Sequence, residues 1–395
     1  HSKYALSAKG QHLGPGQQAH AMQLLASAVH ALQAKSHGWD EGNKLADALF
    51  SHFAHDYQEV RKAVCETLVE WEWTWLRPSL KSVPELLAHS RSAHGSLLAH
   101  SDVMRQRCEA LQKQLRSWRA QRQPLAYGTS KYDVIASTGA LWVCLCLDDH
   151  RLGPMSTYVL SLVPDLFEAF QLRDNEELSE TAHDVLVQVA SHPFSVAQVP
   201  VLLEALLHIL RRSESWHSRL DALPLLQIVY FQNLYLLSHD MKLCILDVLC
   251  SLLHDPHVEV RDMAATTLAG IVRCSQRAHI TKLSQTFADM AAVPIPRRGS
   301  PGYEAAMTQV HAGVLGACAL VAAFPYDVPS WMPSLVLDTI AVHSESPVPI
   351  STTVRRCAAD FRRTHQDTWA EDQHKFGDRV QEVHDFTVGR SDYFA

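Results

Sequence analysis

The sequence contains little glycine and proline, and it lacks the alternating β-branched pattern that marks strands. Of its 395 residues, 16 are glycine and 18 are proline, whereas 47% are apolar. Segments with few of these breakers, and with apolar residues at three- and four-residue steps, are typical of helices. We therefore expect an all-α protein. The length allows two or three globular domains or one long array, and the composition favours the array.

Charge and cysteine content exclude several classes of function. The 35 basic and 42 acidic residues are mixed along the chain and give a net charge of -7, so general nucleic-acid binding is not indicated. The nine cysteines are unevenly spaced, and no CxxC or Cys/His quartet occurs. We infer a reducing compartment and expect no metal site.

Sequence signals of membrane, secreted and catalytic proteins are also absent. No uninterrupted apolar run reaches about 18 residues and no signal-peptide layout occurs, so we expect a soluble intracellular protein with no membrane partner. No HExxH, GxSxG, P-loop or dinucleotide-binding glycine pattern occurs, and we expect no enzyme activity, no catalytic residue and no cofactor. Because the chain begins at His1 instead of Met, we expect a further segment before it in the natural protein.

The stretch 241–273 shows a repeating unit most clearly. Its first half is apolar on nearly every side, and Asp255 and Pro256 then offer an N-cap and a first helical residue. The second apolar stripe consists of Val260, Met263, Ala264, Leu268, Ile271 and Val272. Two helices joined by a short turn are the stacking unit of helical repeat proteins.

This unit resembles a HEAT repeat, which is marked by a turn aspartate followed six residues later by the arginine of a Val-Arg pair. Here these residues are Asp255 and Val260-Arg261. The resemblance implies that Asp255 and Arg261 take part in a hydrogen-bonded ladder between successive repeats. We therefore expect a HEAT-like α-solenoid of stacked helical hairpins.

Similar helices can be traced along the rest of the chain. We predict them at 17–33, 44–53 with 57–75, 101–122, 158–170 with 176–190, 199–211 with 219–236, 310–324, and 331–342 with 350–363. Residues 1–240 are assigned to HEAT-like repeats and 241–386 to C-terminal repeats, with a Pro- and Gly-rich loop at 292–302. Residues 387–395 are assigned to a flexible C-terminal tail.

Two clusters allow more than one interpretation. Trp71, Trp73 and Trp75 could form a ligand platform, but helical spacing places Trp71 and Trp75 on one face and favours packing. The helix at 101–122 carries six basic residues, namely Arg105, Arg107, Lys113, Arg116, Arg119 and Arg122. A solvated face is the simpler explanation, and a site for a small anion, such as a phosphorylated molecule, is the alternative.

Three segments resemble one family. They are MAATTL at 263–268, HAGVLG at 311–316 with PYDVPSWMP at 325–333, and FRRTHQDTW at 361–369. They are similar to the C-terminal region of the large HEAT-repeat proteasome activators, which include proteasome activator complex subunit 4 of animals and the related bleomycin-sensitivity protein of yeast. The resemblance implies a dome that caps the core proteasome, contacts its α-ring subunits and promotes gate opening without ATP. It also implies a nuclear and cytoplasmic location and a link to DNA repair, and it would place any small anionic ligand in the dome.

The resemblance further implies that the C-terminus is the docking site. In the family the chain ends with a hydrophobic residue, a tyrosine and a final residue, and this end enters a pocket between two α-subunits. The corresponding residues here are Tyr393, Phe394 and Ala395. Ala395 would carry the free carboxylate, whereas Phe394 replaces the family tyrosine.

One function of the animal family members does not carry over to this sequence. Their bromodomain-like part, which binds acetylated histones, has an Asn-Phe pair after a cysteine. Here Cys274 is followed by Ser275-Gln276, so the amide that would hold acetyl-lysine is missing. The alternative to a proteasome activator is a generic HEAT scaffold for transport or assembly that does not bind proteasomes.

Overall fold

The computed structural model describes residues 14, 16–21, 23, 24, 39–76, 82–84, 101–124, 130–148, 157–275 and 277–388. Within these ranges the secondary structure consists of helices and turns without a strand, which confirms the predicted all-α fold. The residues form two compact units. One extends to Ile209 and includes Phe231–Leu237, and the other comprises Leu210–Tyr230 and the residues from Ser238 onward.

The first unit contains the helices of the N-terminal half of the chain. Its helices in the described ranges are α1 (Trp39–Phe50), α2 (Gln58–Trp75), α3 (Ser101–Gln121), α4 (Lys131–Asp148), α5 (Val163–Phe170), α6 (Glu176–Ser191) and α7 (Gln198–Arg212), with a 3-10 segment at Thr157–Leu162. Asn175 caps α6, because its side-chain oxygen accepts a hydrogen bond from the Leu178 backbone N–H at 3.2 Å. The predicted helix at 17–33 lies largely outside the described residues.

The tryptophan cluster of α2 belongs to the core of the first unit. Trp71 is completely buried and donates from Nε1 to the carbonyl oxygen of Gly42 at 2.7 Å. Trp75 stacks on Trp71, with ring centroids 5.9 Å apart, and is buried as well. The packing interpretation is therefore confirmed for both residues, and a ligand platform is excluded for this pair.

A carboxylate is enclosed in the same core. Glu72 is fully buried, and its Oε1 accepts a hydrogen bond from Trp142 Nε1 at 2.8 Å. The hydroxyl of Tyr158 and the thiol of Cys146 donate to Oε2. These donors replace the water that the carboxylate loses on burial, which is the condition for keeping a polar group in a core.

The second unit contains the remaining helices. They are α8 (Trp216–Gln232), α9 (His239–Leu252), α10 (Val258–Val272), α11 (Arg277–Ala291), α12 (Tyr303–Ala322), α13 (Met332–His343), α14 (Ile350–Thr364), α15 (Trp369–Asp372) and α16 (Val380–Val388). The unit includes α8, and Arg219 of this helix pairs with Asp255. Residues 292–302 form the connection between α11 and α12 and are not helical.

Helix α12 is the central element of the second unit and packs against α10, α11 and α14. Gly313 lies against the backbone of Ala291, and Gly316 lies against the ring of Phe287. A Cβ atom at either glycine would be 2.5 Å from these neighbours, so the approach requires glycine at both positions. The helix is long and apolar enough to span a membrane, but 72% of its apolar stretch is buried inside the protein, as expected for a core helix.

The turn before α10 differs from the sequence prediction. Helix α10 begins at Val258 with His257 at the N-cap position, so the predicted roles of Asp255 as N-cap and Pro256 as first helical residue are wrong. The Asp255 carboxylate accepts hydrogen bonds from the His257 backbone N–H at 2.9 Å and from Arg219 Nε at 2.7 Å. A charged partner from another helix therefore decides the orientation of this side chain, and local sequence does not reveal that partner.

Asp255 and Arg261 take part in a series of polar contacts that runs through α8, α10, α12 and α14. Arg261 donates through Nη1 to the backbone oxygen of Asp255 at 2.6 Å and through Nε to His311 Nδ1 at 3.2 Å. His311 Nε2 lies 3.0 Å from Thr353 Oγ1. Because Nδ1 accepts from Arg261, the proton of the neutral imidazole is on Nε2 and is donated to Thr353. We call Arg219, Asp255, Arg261, His311 and Thr353 the polar ladder.

The hydrogen bond from Arg261 to the backbone oxygen of the preceding turn recurs at two other arginines. Each donates from Nη1 to the backbone carbonyl oxygen six residues earlier. The pairs are Arg61 with His55 at 2.7 Å, Arg219 with Ser213 at 2.7 Å, and Arg261 with Asp255 at 2.6 Å. Since the acceptor is a backbone oxygen, the contact forms whether the residue six positions earlier is His55, Ser213 or Asp255.

We predict that Arg219→Ala lowers the free energy of unfolding by about 3 to 5 kcal/mol, because it leaves the Asp255 carboxylate, 4% exposed, without its charged partner. Arg356→Ala is the matched control. Its partner Asp262 is 36% exposed, so we expect a loss of about 1 kcal/mol or less. Urea denaturation followed by far-UV circular dichroism measures both losses, and equal values for the two variants would contradict the prediction.

We also predict a pH dependence that arises from His311. Burial, together with the charge of Arg261, lowers the pKa of His311 from 6.5 to about 4. Between these values the unfolded chain binds a proton that the folded chain does not. The free energy of unfolding is therefore not reduced by His311 above pH 6.5. On acidification from pH 6.5 towards pH 4 it falls, by up to about 1.4 kcal/mol per pH unit.

His311→Gln should consequently show a flatter dependence of the urea midpoint on pH between 4 and 6.5 than the unsubstituted chain. His208, an exposed histidine of α7, provides the control. His208→Gln should keep the original slope, and identical slopes in both variants would exclude His311 as the source.

Candidate functional site

The predicted docking residues Tyr393, Phe394 and Ala395 lie outside the described residues, which end at Val388. Thr387 and Val388 are the last residues of α16, so helical structure continues two residues into the segment that we predicted as a tail. The part of the candidate site that the structure describes is the surface around Val388, to which residues 389–395 are attached.

Helix α16 is attached to the second unit at its start and in its middle. Val383 is fully buried, and the guanidinium of Arg379 contacts Asp338 of α13 and Glu382 of α16, each at 2.8 Å. Hydrogen bonds from Arg379 lower the pKa of both carboxyls. Because these three side chains are about half exposed, water screens the pairs, and they orient the helix more than they stabilise the fold.

A second set of contacts holds the segment that leads to α16. Lys375 Nζ lies 2.9 Å from both Asp327 and Asp372, and Thr368 Oγ1 donates to Asp372 at 2.6 Å. Burial would raise the pKa of Asp372, but hydrogen bonds from Thr368 and Lys375 outweigh this effect and keep the pKa below its ordinary value. The chain between α14 and α16 is thus tied to the turn that contains Asp327.

A groove of about 220 Å³ lies at the end of α16. Phe361 and His365 at its base are buried, whereas Arg362, His384 and Val388 at its edge are exposed. Trp369, Gln366 and Thr387 complete its lining. We call this feature the terminal groove.

Aromatic side chains form the base of the terminal groove. The rings of Phe361 and His365 stack with centroids 4.2 Å apart, and Trp369 meets Phe361 edge-to-face at 6.5 Å. Phe376 supports Trp369 from another side at 5.9 Å. Most of this base comes from the family-like segment 361–369, but the sequence did not indicate that His384 and Val388 would lie beside it.

The basic segment of α3 is largely neutralised by the protein itself. Arg107 contacts Asp47 at 2.8 Å, and Arg122 contacts Asp133 at 3.1 Å and Asp174 at 2.8 Å. The Arg122 side chain is 7% exposed, so a small anion in solution has little access to it. An anionic ligand of this segment stays a prediction, and it would have to compete with these carboxylates.

The structure does not add a further site around the other residues that the sequence analysis considered, within the part of the chain that it describes. Across the described ranges, no group of three or more His, Cys, Asp or Glu side chains is arranged to hold a metal. Cys274 is exposed after α10, and Gln276 lies outside the described residues. Arg219, His311 and Thr353 of the polar ladder were not singled out from sequence, although His311 stands in a family-like segment.

Two family models match this chain. The model described as "Proteasome activator complex subunit 4-like, C-terminal" matches residues 307–395, and a HEAT repeat model matches residues 245–275. The second match covers most of α9 and α10 with the turn between them and confirms the predicted HEAT-like fold. The first includes the terminal groove and the last three residues.

The curated relatives of this chain are named as proteasome activator subunits, like the first of these family models. The chain is 37% identical over 238 residues to Proteasome activator complex subunit 4A of Danio rerio and 34% identical over 238 residues to Proteasome activator complex subunit 4 of Homo sapiens. It is 32% identical over 227 residues to Proteasome activator subunit 4 of Arabidopsis thaliana. These matches cover 55 to 56% of this chain but 12 to 13% of the relatives, so the chain spans about an eighth of their length. The predicted resemblance to the C-terminal region of the large HEAT-repeat proteasome activators is therefore confirmed.

Proposed function

We propose that this chain is the C-terminal part of an ATP-independent proteasome activator. It docks on the α-ring of the core proteasome through its last residues and promotes opening of the gate, in the nucleus and the cytoplasm. The observation that carries the proposal is the match of residues 307–395, up to and including Ala395, to the C-terminal domain of the subunit 4 relatives. Such a regulator acts by binding, in keeping with a sequence in which catalytic motifs are absent.

The chemistry of the last three residues supports docking in a pocket. A terminal carboxylate is an anion that a lysine of the receptor can pair with, while aromatic rings are buried beside it. Burying one aromatic side chain contributes about 2 to 3 kcal/mol, and the conformational freedom that any chain end loses on binding offsets part of this gain. The last three residues therefore supply modest affinity, and a wider contact must supply the rest.

The attachment of α16 strengthens this mechanism. Val383 and Arg379 hold the helix, so the seven residues 389–395 are attached to a fixed point. A short link between a bound surface and a second binding element raises the effective concentration of that element. A fixed α16 thus allows a weak C-terminal contact to contribute to a stable complex.

We predict that removal of residues 393–395 reduces binding to purified core proteasome and the stimulation of peptide hydrolysis. The deletion removes both aromatic rings and relocates the terminal carboxylate. Biolayer interferometry and a fluorogenic peptide assay measure the two effects, with Ser391→Ala as the control that should behave like the unsubstituted chain. Unchanged binding and stimulation after the deletion would reject the docking mechanism. A chain that binds no proteasome even when intact would favour the generic HEAT scaffold.

We further predict that Phe394→Tyr tightens docking about fivefold, because it restores the hydroxyl of the family tyrosine and one hydrogen bond contributes about 1 kcal/mol. Tyr393→Phe is the matched control. It removes a hydroxyl from the position where the family has any hydrophobic residue, so its dissociation constant should stay close to the original. A weaker complex for Phe394→Tyr in the same titration would contradict the pocket model.

A further inference from the structure

We propose that the terminal groove is a second docking point for the α-ring subunit that receives the C-terminus. It takes one large apolar or aromatic side chain, next to an acidic residue, from the surface of that subunit. This inference rests on the proposed function and adds to it a specific contact surface on the folded part of the chain.

The position of the groove follows from the length of the chain after it. Val388 lines the groove, and seven residues, 389–395, follow it. A fully extended chain spans at most about 3.6 Å per residue, so Ala395 lies within about 25 Å of the groove. This distance is smaller than the diameter of a typical protein subunit. A subunit that holds Ala395 in a pocket is therefore placed to cover the groove as well.

The size of the groove suits one side chain. Small-molecule sites usually enclose about 300 to 1,000 Å³, whereas this groove has about 220 Å³. Its apolar surface comes from Phe361, Trp369 and Val388, of which Val388 is 52% exposed. An inserted ring could pack against Trp369 in the same edge-to-face manner as Phe361 does. Anchors of this kind, inserted in a small pocket, supply much of the affinity of protein interfaces.

The charge at the edge of the groove indicates an acidic neighbour for the inserted side chain. Arg362 is exposed, and among the described residues no carboxylate lies within ion-pair distance of it. Nearby basic residues differ in this respect, because Arg363 pairs with Asp360 at 2.9 Å and Arg379 pairs with Glu382 at 2.8 Å. Arg362 is thus available to a carboxylate of the partner, and a bidentate arginine–carboxylate contact adds orientation as well as affinity.

The neighbouring arginines provide a matched pair of variants. Both are exposed residues of α14, but Arg362 lines the groove and Arg363 does not. We expect Arg362→Glu to raise the Kd for purified core proteasome at least tenfold and Arg363→Glu to change it less than twofold. Val388→Asp, at the exposed end of α16, should weaken binding in the same way. Urea midpoints close to that of the unsubstituted chain establish that the variants are folded.

The outcomes separate this proposal from the proposed function. If deletion of residues 393–395 weakens binding while Arg362→Glu and Val388→Asp do not, the groove is not a docking point and the C-terminal docking mechanism stands. If the unsubstituted chain does not bind core proteasome, both proposals are overturned.

The identity of the occupant is tested by cross-linking. Gln366, an exposed residue of the groove lining, is replaced by p-benzoylphenylalanine, and the chain is irradiated with core proteasome. A cross-link to an α-ring subunit, identified by mass spectrometry, is the expected result. Residues 389–395 also contain aromatic side chains, and a cross-link to this segment of the same chain would overturn the proposal. A lower Kd of Arg362→Glu for core proteasome would also overturn the proposal, because it would mean that the groove binds the C-terminus of the same chain and that the substitution releases it.

Discussion

Polar groups in the turns between packed helices need partners once water is removed, and arginine side chains meet this need in both units. Arg61, Arg219 and Arg261 each reach back to a carbonyl oxygen of the preceding turn. In the second unit Arg219 also pairs with the buried Asp255 carboxylate, and Arg261 continues to His311. A guanidinium can do this because it offers five donors in a planar fork and stays charged when partly buried. In the second unit these contacts link α8, α10 and α12, and His311 extends the series to Thr353 of α14.

This arrangement has a consequence for the far end of the chain. Helix α14 contributes Thr353 to the polar ladder and, two to three turns later, Phe361 and Arg362 to the terminal groove. The same helix therefore connects the core of the second unit with the surface at Val388. A binding surface on a helix that is anchored in a core loses little conformational freedom when a partner binds. The terminal groove is thus a better candidate for a defined contact than a loop would be.

Several elements could be predicted from their pattern, whereas others could not be delimited. The turn residues and apolar stripes located α9 and α10 within a few residues. Helix α12, however, begins at Tyr303 instead of Val310, because its first turns have few large apolar residues to extend the stripe. Helix α11 was not delimited, although its buried residues Ile280, Phe287 and Ala291 have helical spacing.

The sequence by itself determined the helical class, the HEAT-like turn and the family resemblance, because these depend on the spacing of residues close together in the chain. The proposed docking residues 393–395 were also identified from the sequence, because a short motif at the end of the chain needs no tertiary contact to be recognised. Tertiary structure decided which side chains distant in the sequence meet. Asp255 turned to Arg219 instead of capping α10, and His384 and Val388 came to lie beside Phe361. Such contacts join residues that are 20 to 40 positions apart, and their free energy depends on burial that exists once the helices have packed.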